Sequence, residues 1–399
     1  MKKALLVTRV SGFVPQHEMN NVKILQQMGY EVHYATDLNN VVYGKDNSRL
    51  EGTGIITHQI DFVKSPFSPA VKKSYRQLVE LMEQESFDLI HCHMPMSAVV
   101  GRLAANAVRK KTGRKVPVLY TAHGLHFYSG APWKNWLYYP VERYLARYTD
   151  RLIVINGEDY ERAGHFPIRG KVVYVPGVGA KLQSAGKKKD SLRQRDLRQE
   201  FDLSEDTKLL ISVGELSARK NNRLVVRAMA EVQDLDLVYI VCGSGDQEEI
   251  LRQQVQDLQL ERKVFFAGYV NDVSEVLCQA DAFVLPSYQE GLPVAVMEAM
   301  TCGLPVIASD IRGVRDLIEH GKGGYLVQGF DPVDYAVKIR RLFTEKQGEK
   351  AIPRAQRRQQ MGEWNKKRVQ AFSLEVVDAK MREIYQEIEE ERQINDTTK

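Results

Sequence analysis

The segment Pro286-Ser287-Tyr288-Gln289-Glu290-Gly291-Leu292-Pro293-Val294-Ala295-Val296-Met297-Glu298-Ala299 sets two carboxylates eight positions apart, with Gly291, Leu292 and Pro293 between them. It follows an apolar run and opens a helical pattern. Pro293 suits the first turn of that helix, where an N–H would find no partner anyway. The backbone N–H groups near Gly291 and Leu292 would then face outward at the positive end of a helix dipole, which makes an anion site. Eight residues of helix cover roughly 12 Å. Glu290 precedes the helix, so that figure is a scale only. A glycosidase-type acid and nucleophile pair needs about 5–5.5 Å, and this spacing does not suit one. It suits two clamps on an extended ligand, one at each end, with the anion site between. A nucleotide sugar has that layout: ribose, diphosphate, sugar. The bland alternative is a dipole partner at Glu290 and a surface charge at Glu298.

Further residues with chemical potential fall after other apolar runs. Val213-Gly214-Glu215-Leu216-Ser217-Ala218-Arg219-Lys220-Asn221-Asn222 carries a basic pair, Arg219 and Lys220. Tyr120-Thr121-Ala122-His123-Gly124-Leu125-His126 offers two histidines around a glycine. Gly12 lies in Arg9–Pro15, Gly243 in Val241–Asp246, and Tyr269 and Val270 follow Gly268. Phe127–Tyr139 packs Trp133, Trp136 and several Tyr and Phe around Lys134. Such a segment fits an interfacial membrane contact, a core, or a groove for an acceptor. No Asp-x-Asp cluster suggests an obligatory metal, and no metal site is expected. The four cysteines, Cys92, Cys242, Cys278 and Cys302, form no CxxC pair. They read as small buried residues of a reducing compartment rather than a disulfide framework.

Loops at strand ends need strands to hold them. In the first half the apolar runs Ala4–Thr8, Glu31–Ala35, Leu89–Cys92, Val118–Thr121, Leu152–Ile155 and Val172–Val175 alternate with amphipathic stretches such as Lys72–Glu83 and Ala98–Lys110. That βαβ rhythm predicts a mostly parallel sheet covered on both faces. Residues 177–206 break the rhythm with Gly, Ser and Lys, and read as a linker with a charged helix over Ser191–Phe201. The rhythm resumes in Leu209–Val213, Leu237–Cys242, Val264–Ala267, Ala282–Leu285, Val306–Ala308 and Tyr325–Val327. Helices are expected there at Asn222–Glu231, Asp246–Leu258, Val294–Thr301 and Pro332–Phe343. The tail from Ser373 to Glu391 is one more amphipathic helix. The fold class is therefore α/β with two Rossmann-like halves. The expected domains are 1–178, a linker at 179–206, 207–370, and a terminal helix within 371–399. In open α/β sheets ligands bind beyond the carboxyl ends of the strands, which is where every candidate residue above lies.

Composition agrees with a soluble chain: 399 residues, 43% hydrophobic, 27% charged and a net charge of +5. No apolar run reaches the ~18 residues a membrane span needs, and Ala4–Val7 is too short for a signal-peptide core. Basic residues gather at Lys72, Lys73 and Arg76, and over Arg109–Lys115. They suit an anionic membrane surface or a solvated helix face.

The Glu290–Glu298 segment resembles the glutamate–seven–glutamate motif of retaining glycosyltransferases, above all glycosyltransferase family 4. The likeness extends over nearly the whole chain. It implies the GT-B fold, two Rossmann-like domains across a cleft with a C-terminal helix returning to the first. It implies that Glu290 meets the donor sugar and Glu298 the ribose, with Gly291, Leu292 and Pro293 beside the donor. Lys220 matches a diphosphate-binding lysine. The usual companion arginine is replaced by Glu215, and Arg219 is the nearest substitute. His123 matches a histidine that touches the transferred sugar, with His126 second. Gly12, Gly243, Tyr269 and Val270 line the phosphate and base. The segment HGLHFYSGAPWKNW resembles bacterial capsule and exopolysaccharide members, whose acceptors are often lipid-linked. The expectation is thus a retaining transferase at the inner membrane face. It would take a UDP-sugar and a glycan acceptor on polyprenyl diphosphate. Its membrane contact would be peripheral, on anionic lipid. It would have no nucleic-acid partner and no obligatory cofactor, with magnesium as a stimulant only. A nucleotide-sugar epimerase or hydrolase and a non-catalytic binding subunit are the rival readings.

Overall fold

A computed structural model describes residues 1–65, 68–182, 195–344 and 353–397. The chain divides into two compact units, residues 1–178 with 375–399, and residues 179–374.

The first unit holds strands β1 (Lys2–Val7), β2 (Tyr30–Thr36), β3 (Ile56–Gln59), β4 (Leu89–His93), β5 (Val118–Ala122), β6 (Arg151–Val154) and β7 (Lys171–Tyr174). They form one sheet in the order β3-β2-β1-β4-β5-β6-β7, and every pairing is parallel. β4 and β5 are buried throughout, as a sheet with helices on both faces requires. The helices Val71–Glu85 and Pro95–Thr112 cover one face, with Leu78, Leu81, Met82 and Ala104 in its core. The terminal helix Leu374–Thr397 closes the other. Val377, Met381, Ile384, Tyr385 and Ile388 pack there with Leu6, Tyr30 and Tyr34. The apolar spacing of that tail predicts the helix, and the family resemblance implies its return to the first unit, where the structure places it.

The second unit contains β8 (Lys208–Val213), β9 (Leu237–Cys242), β10 (Val264–Gly268), β11 (Ala282–Leu285), β12 (Val306–Ser309) and β13 (Gly324–Val327). Their order is β10-β9-β8-β11-β12-β13, again all parallel. Helices start on side-chain caps where the sequence offers them: Asp272 accepts from Ser274 N–H and Asp331 from Val333 N–H. Of the charged helix expected over Ser191–Phe201, residues 191–194 lie outside the described residues, and Leu197–Glu200 is helical.

The structure amends four expectations. β3 carries no apolar run, because it is an edge strand whose side chains are mostly exposed. The helix Arg354–Val369 buries few apolar side chains; Asn365 anchors it by donating to the carbonyls of Leu304 and Gly323, both at 2.7 Å. Cys278 and Cys302 are disulfide-bonded with Cα atoms 5.2 Å apart, against the expectation of unpaired thiols, while Cys92 and Cys242 are free and buried. Finally, the two basic clusters do not share a face. Lys72, Lys73 and Arg76 start a helix and Arg109–Lys111 end one, so they sit at opposite edges of the sheet. Among the described residues no helix is long and apolar enough to cross a membrane.

Candidate active site

In each sheet the strand order reverses direction once, beside β1 in the first unit and beside β8 in the second. A sheet opens a crevice at such a point, and the loops leaving the two diverging strands line it. In the second unit those loops are Gly214–Asn221 after β8 and Pro286–Pro293 after β11. They carry Lys220 and Glu290, which the structure brings together. Lys220 Nζ donates to Glu290 Oε1 at 2.8 Å. Arg219 lies 3.1 Å from the same oxygen and also donates to the Gln289 carbonyl at 3.0 Å.

Glu290 is 8% exposed. Burial pushes its carboxyl up, but Lys220 and Arg219 outweigh that, and the net result lies below the ordinary carboxylate value. It is ionised at neutral pH. Behind the loop the buried Arg312 donates through Nε to the Glu290 carbonyl at 3.3 Å. Arg312 sits outside every motif read from the sequence, so nothing local marked it. Glu215, at the position where an arginine was expected, is exposed.

Pro293 takes the cap position just before the helix Val294–Thr301, rather than a place in its first turn. Its carbonyl accepts from Val296 and Met297 N–H. Leu292 and Pro293 are buried and Gly291 is half-buried. Glu298 lies inside the helix. Burial, then repulsion from Asp272, raise its carboxyl to about 7, with Lys181 pulling the other way. The two glutamates therefore differ in charge state near neutrality. Ionised Glu298 is the better acceptor for a hydroxyl. With Glu298 on the ribose, as the family resemblance implies, affinity for a nucleotide sugar such as UDP-glucose, whose diphosphate has no group titrating near neutrality, should rise between about pH 6 and about pH 8. Glu298→Gln should flatten that slope and weaken binding by about 1–3 kcal/mol. Calorimetry across the range tests this; an unchanged slope removes Glu298 from the ligand.

Gly243 follows β9 with φ +141°, and a Cβ there would lie 1.8 Å from the Gly214 carbonyl oxygen. The loops after β8 and β9 touch only because this residue has no side chain. Gly243→Ala should cost roughly 3 kcal/mol or more in chemical denaturation, from strain and overlap together. Tyr269 is exposed beyond β10 and Val270 is half-buried. Gly12, in the first unit, meets the Val42 carbonyl in the same way, with a virtual Cβ 1.6 Å from that oxygen.

At the reversal point of the first unit, His93 ends β4 and His123 follows β5. β4 and β5 pair with His93 opposite Thr121, which puts His123 next to His93. His93 Nδ1 and His123 Nε2 lie 3.3 Å apart. Glu18, buried at the end of the π-helical turn Val14–Glu18, approaches both rings. Burial raises the Glu18 carboxyl to about 8, and it lowers His123 to about 3 and His93 well below its ordinary value. Both imidazoles are neutral at physiological pH. His126 lies elsewhere, its ring 4.7 Å from that of Tyr138. Of the two histidines weighed, His123 is the one in the cluster. No local motif marks this cluster, because Glu18, His93 and His123 come from three distant segments.

The aromatic segment divides in two. Phe127 is buried against Tyr139 and Phe166. Trp133, Leu137, Val141 and Tyr144 are exposed, at helical spacing.

Known proteins settle the class. The description "Glycosyl transferase 4-like domain" matches residues 17–177, and "Glycosyl transferases group 1" matches residues 193–368. The putative glycosyltransferase EpsD of Bacillus subtilis is 35% identical over 348 residues, 86% of this chain and 87% of that protein. The chain belongs to glycosyltransferase family 4. An Escherichia coli relative, UDP-Gal:alpha-D-GlcNAc-diphosphoundecaprenol alpha-1,3-galactosyltransferase, is 30% identical over 64% of this chain and 66% of its own length. Among solved structures, Anabaena HepE in complex with UDP and glucose matches with a TM-score of 0.73 at 19% identity, over 97% of this chain and 100% of that one. The lipopolysaccharide glycosyltransferase WaaG matches at 0.68 and 17%, over 96% and 99%. This family 4 chain thus has the GT-B fold. Its Glu290 and Glu298 loop and helix lie within the matched second domain.

Proposed function

We propose that this family 4 enzyme is a retaining transferase. It moves a hexose or N-acetylhexosamine from a UDP-sugar to a glycan carried on polyprenyl diphosphate, in cell-surface polysaccharide synthesis. The observation that carries the reading is the ionised, buried Glu290 held by Lys220 and Arg219 beside a helix N-terminus. Two cations and the first-turn N–H groups make a preorganised site for a departing diphosphate. Glu290 is left to accept from sugar hydroxyls, and Glu298 from ribose. For His123 the family likeness implies contact with the transferred sugar, and the proposal keeps that role. The leaving phosphate helps deprotonate the acceptor hydroxyl on the same face of the sugar, so the protein works by positioning and electrostatics. Magnesium stimulates at most. The donor class is supported by HepE's complex with UDP and glucose, and the acceptor class by the named substrate of the E. coli relative.

The test is a panel of UDP-sugars with and without polyprenyl-diphosphate-linked acceptor, followed by NMR of the product's anomeric configuration. An inverted glycoside overturns retention, and epimerised or free sugar as the sole product overturns the transferase reading in favour of an epimerase or hydrolase. No turnover with any donor favours a binding subunit.

A polyprenyl-diphosphate acceptor would hold the enzyme at the inner membrane face, and this is the location the proposal takes. The exposed stripe Trp133, Leu137, Val141 and Tyr144 follows β5, at the same sheet edge as Lys72, Lys73 and Arg76. Apolar anchors with cations near them bind anionic bilayers by about 1 kcal/mol per charge plus the buried apolar area. Co-sedimentation with anionic vesicles should fall at high salt. It should fall further in a Trp133→Ser, Leu137→Ser double variant. Changing Arg109, Lys110 and Lys111 to Gln, at the other edge, should have little effect. Equal binding by the double variant would make the stripe an acceptor groove instead.

A further inference from the structure

The disulfide of the second unit joins two elements that meet the nucleotide in the proposed function, and nothing in the transfer chemistry calls for it. Cys278 caps the end of the helix Val273–Leu277, and Cys302 caps the end of Val294–Thr301. Their Cα atoms stand 5.2 Å apart, within the ordinary span of a disulfide. The first helix follows β10 and the loop that carries Tyr269 and Val270. The second carries Glu298, about one turn before Cys302. The Cys302 N–H donates to the Glu298 carbonyl at 3.3 Å, and Thr301 Oγ1 donates to it at 2.7 Å. The bond thus ties the base side of the nucleoside pocket to its ribose side. We infer that Cys278 and Cys302 form a thiol–disulfide switch on nucleotide affinity, with the disulfide as the tight-binding state. The inference rests on the donor reading of Glu298 and of the Tyr269–Val270 loop.

Access and need both favour a switch over a structural staple. Cys278 is exposed and Cys302 half-buried, whereas the free Cys92 and Cys242 are buried. A disulfide that a thiolate can reach is the labile kind. The second unit buries a six-stranded parallel sheet in its own apolar core, and a domain of that size folds without a cross-link. At the inner membrane face thiols are kept reduced, and a disulfide in such a compartment is usually transient or redox-sensing.

The surroundings show what the bond holds. Gln279, next to Cys278, is fastened on its other side: Nε2 donates to the carbonyls of Arg195 and Glu275 at 2.6 and 2.7 Å, and Oε1 accepts from Leu197 N–H at 2.9 Å. Cys278 is therefore a fixed post to which the end of the Glu298 helix is tied. Repulsion between Glu298 and Asp272, the cap at the head of the first helix, works against that packing. Opening the bond lets the two helices part and loosens the ribose contact relative to the base. Reduction consumes a dithiol of the thioredoxin class or two monothiols such as glutathione. A thiolate attacks the exposed Cys278 sulfur, the Cys278–Cys302 bond breaks, and Cys302 leaves as thiolate. A second thiolate attacks the reductant's sulfur in the mixed disulfide and releases Cys278. Two electrons pass to the protein, the reductant becomes a disulfide, and one proton ends on each cysteine.

The experiment equilibrates full-length protein in glutathione buffers from oxidising to reducing and counts free thiols by alkylation in denaturant and mass spectrometry. Of the four cysteines, two should be free in the oxidising buffers and all four in the reducing ones. UDP is the probe, since every donor of the proposed class contains it. Its Kd, from calorimetry at fixed pH, should rise on reduction by at least about fivefold, the low end of allosteric couplings. Cys278→Ser and Cys302→Ser should each bind UDP as the reduced protein does, in every buffer. Near-ultraviolet circular dichroism confirms the fold of each form, and either folded variant suffices. A thiol count that is the same in every buffer, one Kd for both forms, or a folded variant that binds like the oxidised protein overturns the switch and leaves the donor reading standing. UDP bound by neither form overturns the donor reading and the switch with it.

Discussion

Glu290→Gln should lower turnover at saturating donor by at least about a hundredfold, the scale of losing one preorganised polar contact in a transition state. Gln fills the same volume, so the change removes charge and little else. The carboxylate is 8% exposed, and two cations hold it ionised. The amide leaves those cations unbalanced and offers a weaker acceptor to the sugar hydroxyls. Donor affinity should change less than turnover, because the cations are freed for the diphosphate. Stability should fall only modestly, since Lys220 and Arg219 keep 14% and 44% side-chain exposure and regain water. The sign with pH follows from the direction of the Glu290 shift, which is downward. A lowered carboxyl stabilises the fold above the unfolded value and loses that contribution as pH falls through the folded value. The gap in thermal stability between wild type and variant should therefore close on acidification below about pH 4. Near-normal turnover in a stopped assay at saturating UDP-sugar would refute the role.

The donor loops were legible because they follow central strands. A buried parallel strand is an unbroken apolar run, and the residues that come next must be a strand-end loop. Lys220 and Glu290 could thus be placed at the carboxyl edge before any contact between them was known. What that reading lacked was adjacency. Strand order, not sequence order, sets β8 beside β11 and β4 beside β5, so the Lys220–Glu290 contact and the His93–His123 pair emerge only from topology. Glu18 was invisible for the same reason, as it stands on a π-helical turn with no motif around it. Cys278 and Cys302 follow two separate helices whose packing brings them together. The edge strand β3 and the helix Arg354–Val369 were missed because neither depends on an apolar stripe. Arg312 is the remaining case: a buried arginine bonded to the Glu290 carbonyl acts on the site from behind.

Lys220→Ala should cut kcat by about 10²–10³ while changing donor affinity far less, because negative charge grows on the diphosphate as it leaves. Lys220 is the more buried of the two cations and the nearer to Glu290, at 2.8 Å against 3.1 Å for Arg219. Arg219→Ala should have a smaller effect, about tenfold or less, since an exposed cation is screened by water. If Arg219 substitutes for the arginine replaced by Glu215, its loss should matter more once Lys220 is gone, and a double-mutant cycle measures that coupling. Losing Lys220 also leaves Glu290 buried with only its weaker partner. Burial then dominates and the Glu290 carboxyl must rise. The acid limb of the kcat profile should accordingly move to higher pH in Lys220→Ala and barely move in Arg219→Ala. This shift separates electrostatic support of the site from simple loss of a phosphate contact. A Lys220→Ala enzyme whose loss falls wholly on donor Kd, with kcat and its pH profile unchanged, would show that the lysine only binds. The helix N-terminus at Val294 would then carry the leaving group alone.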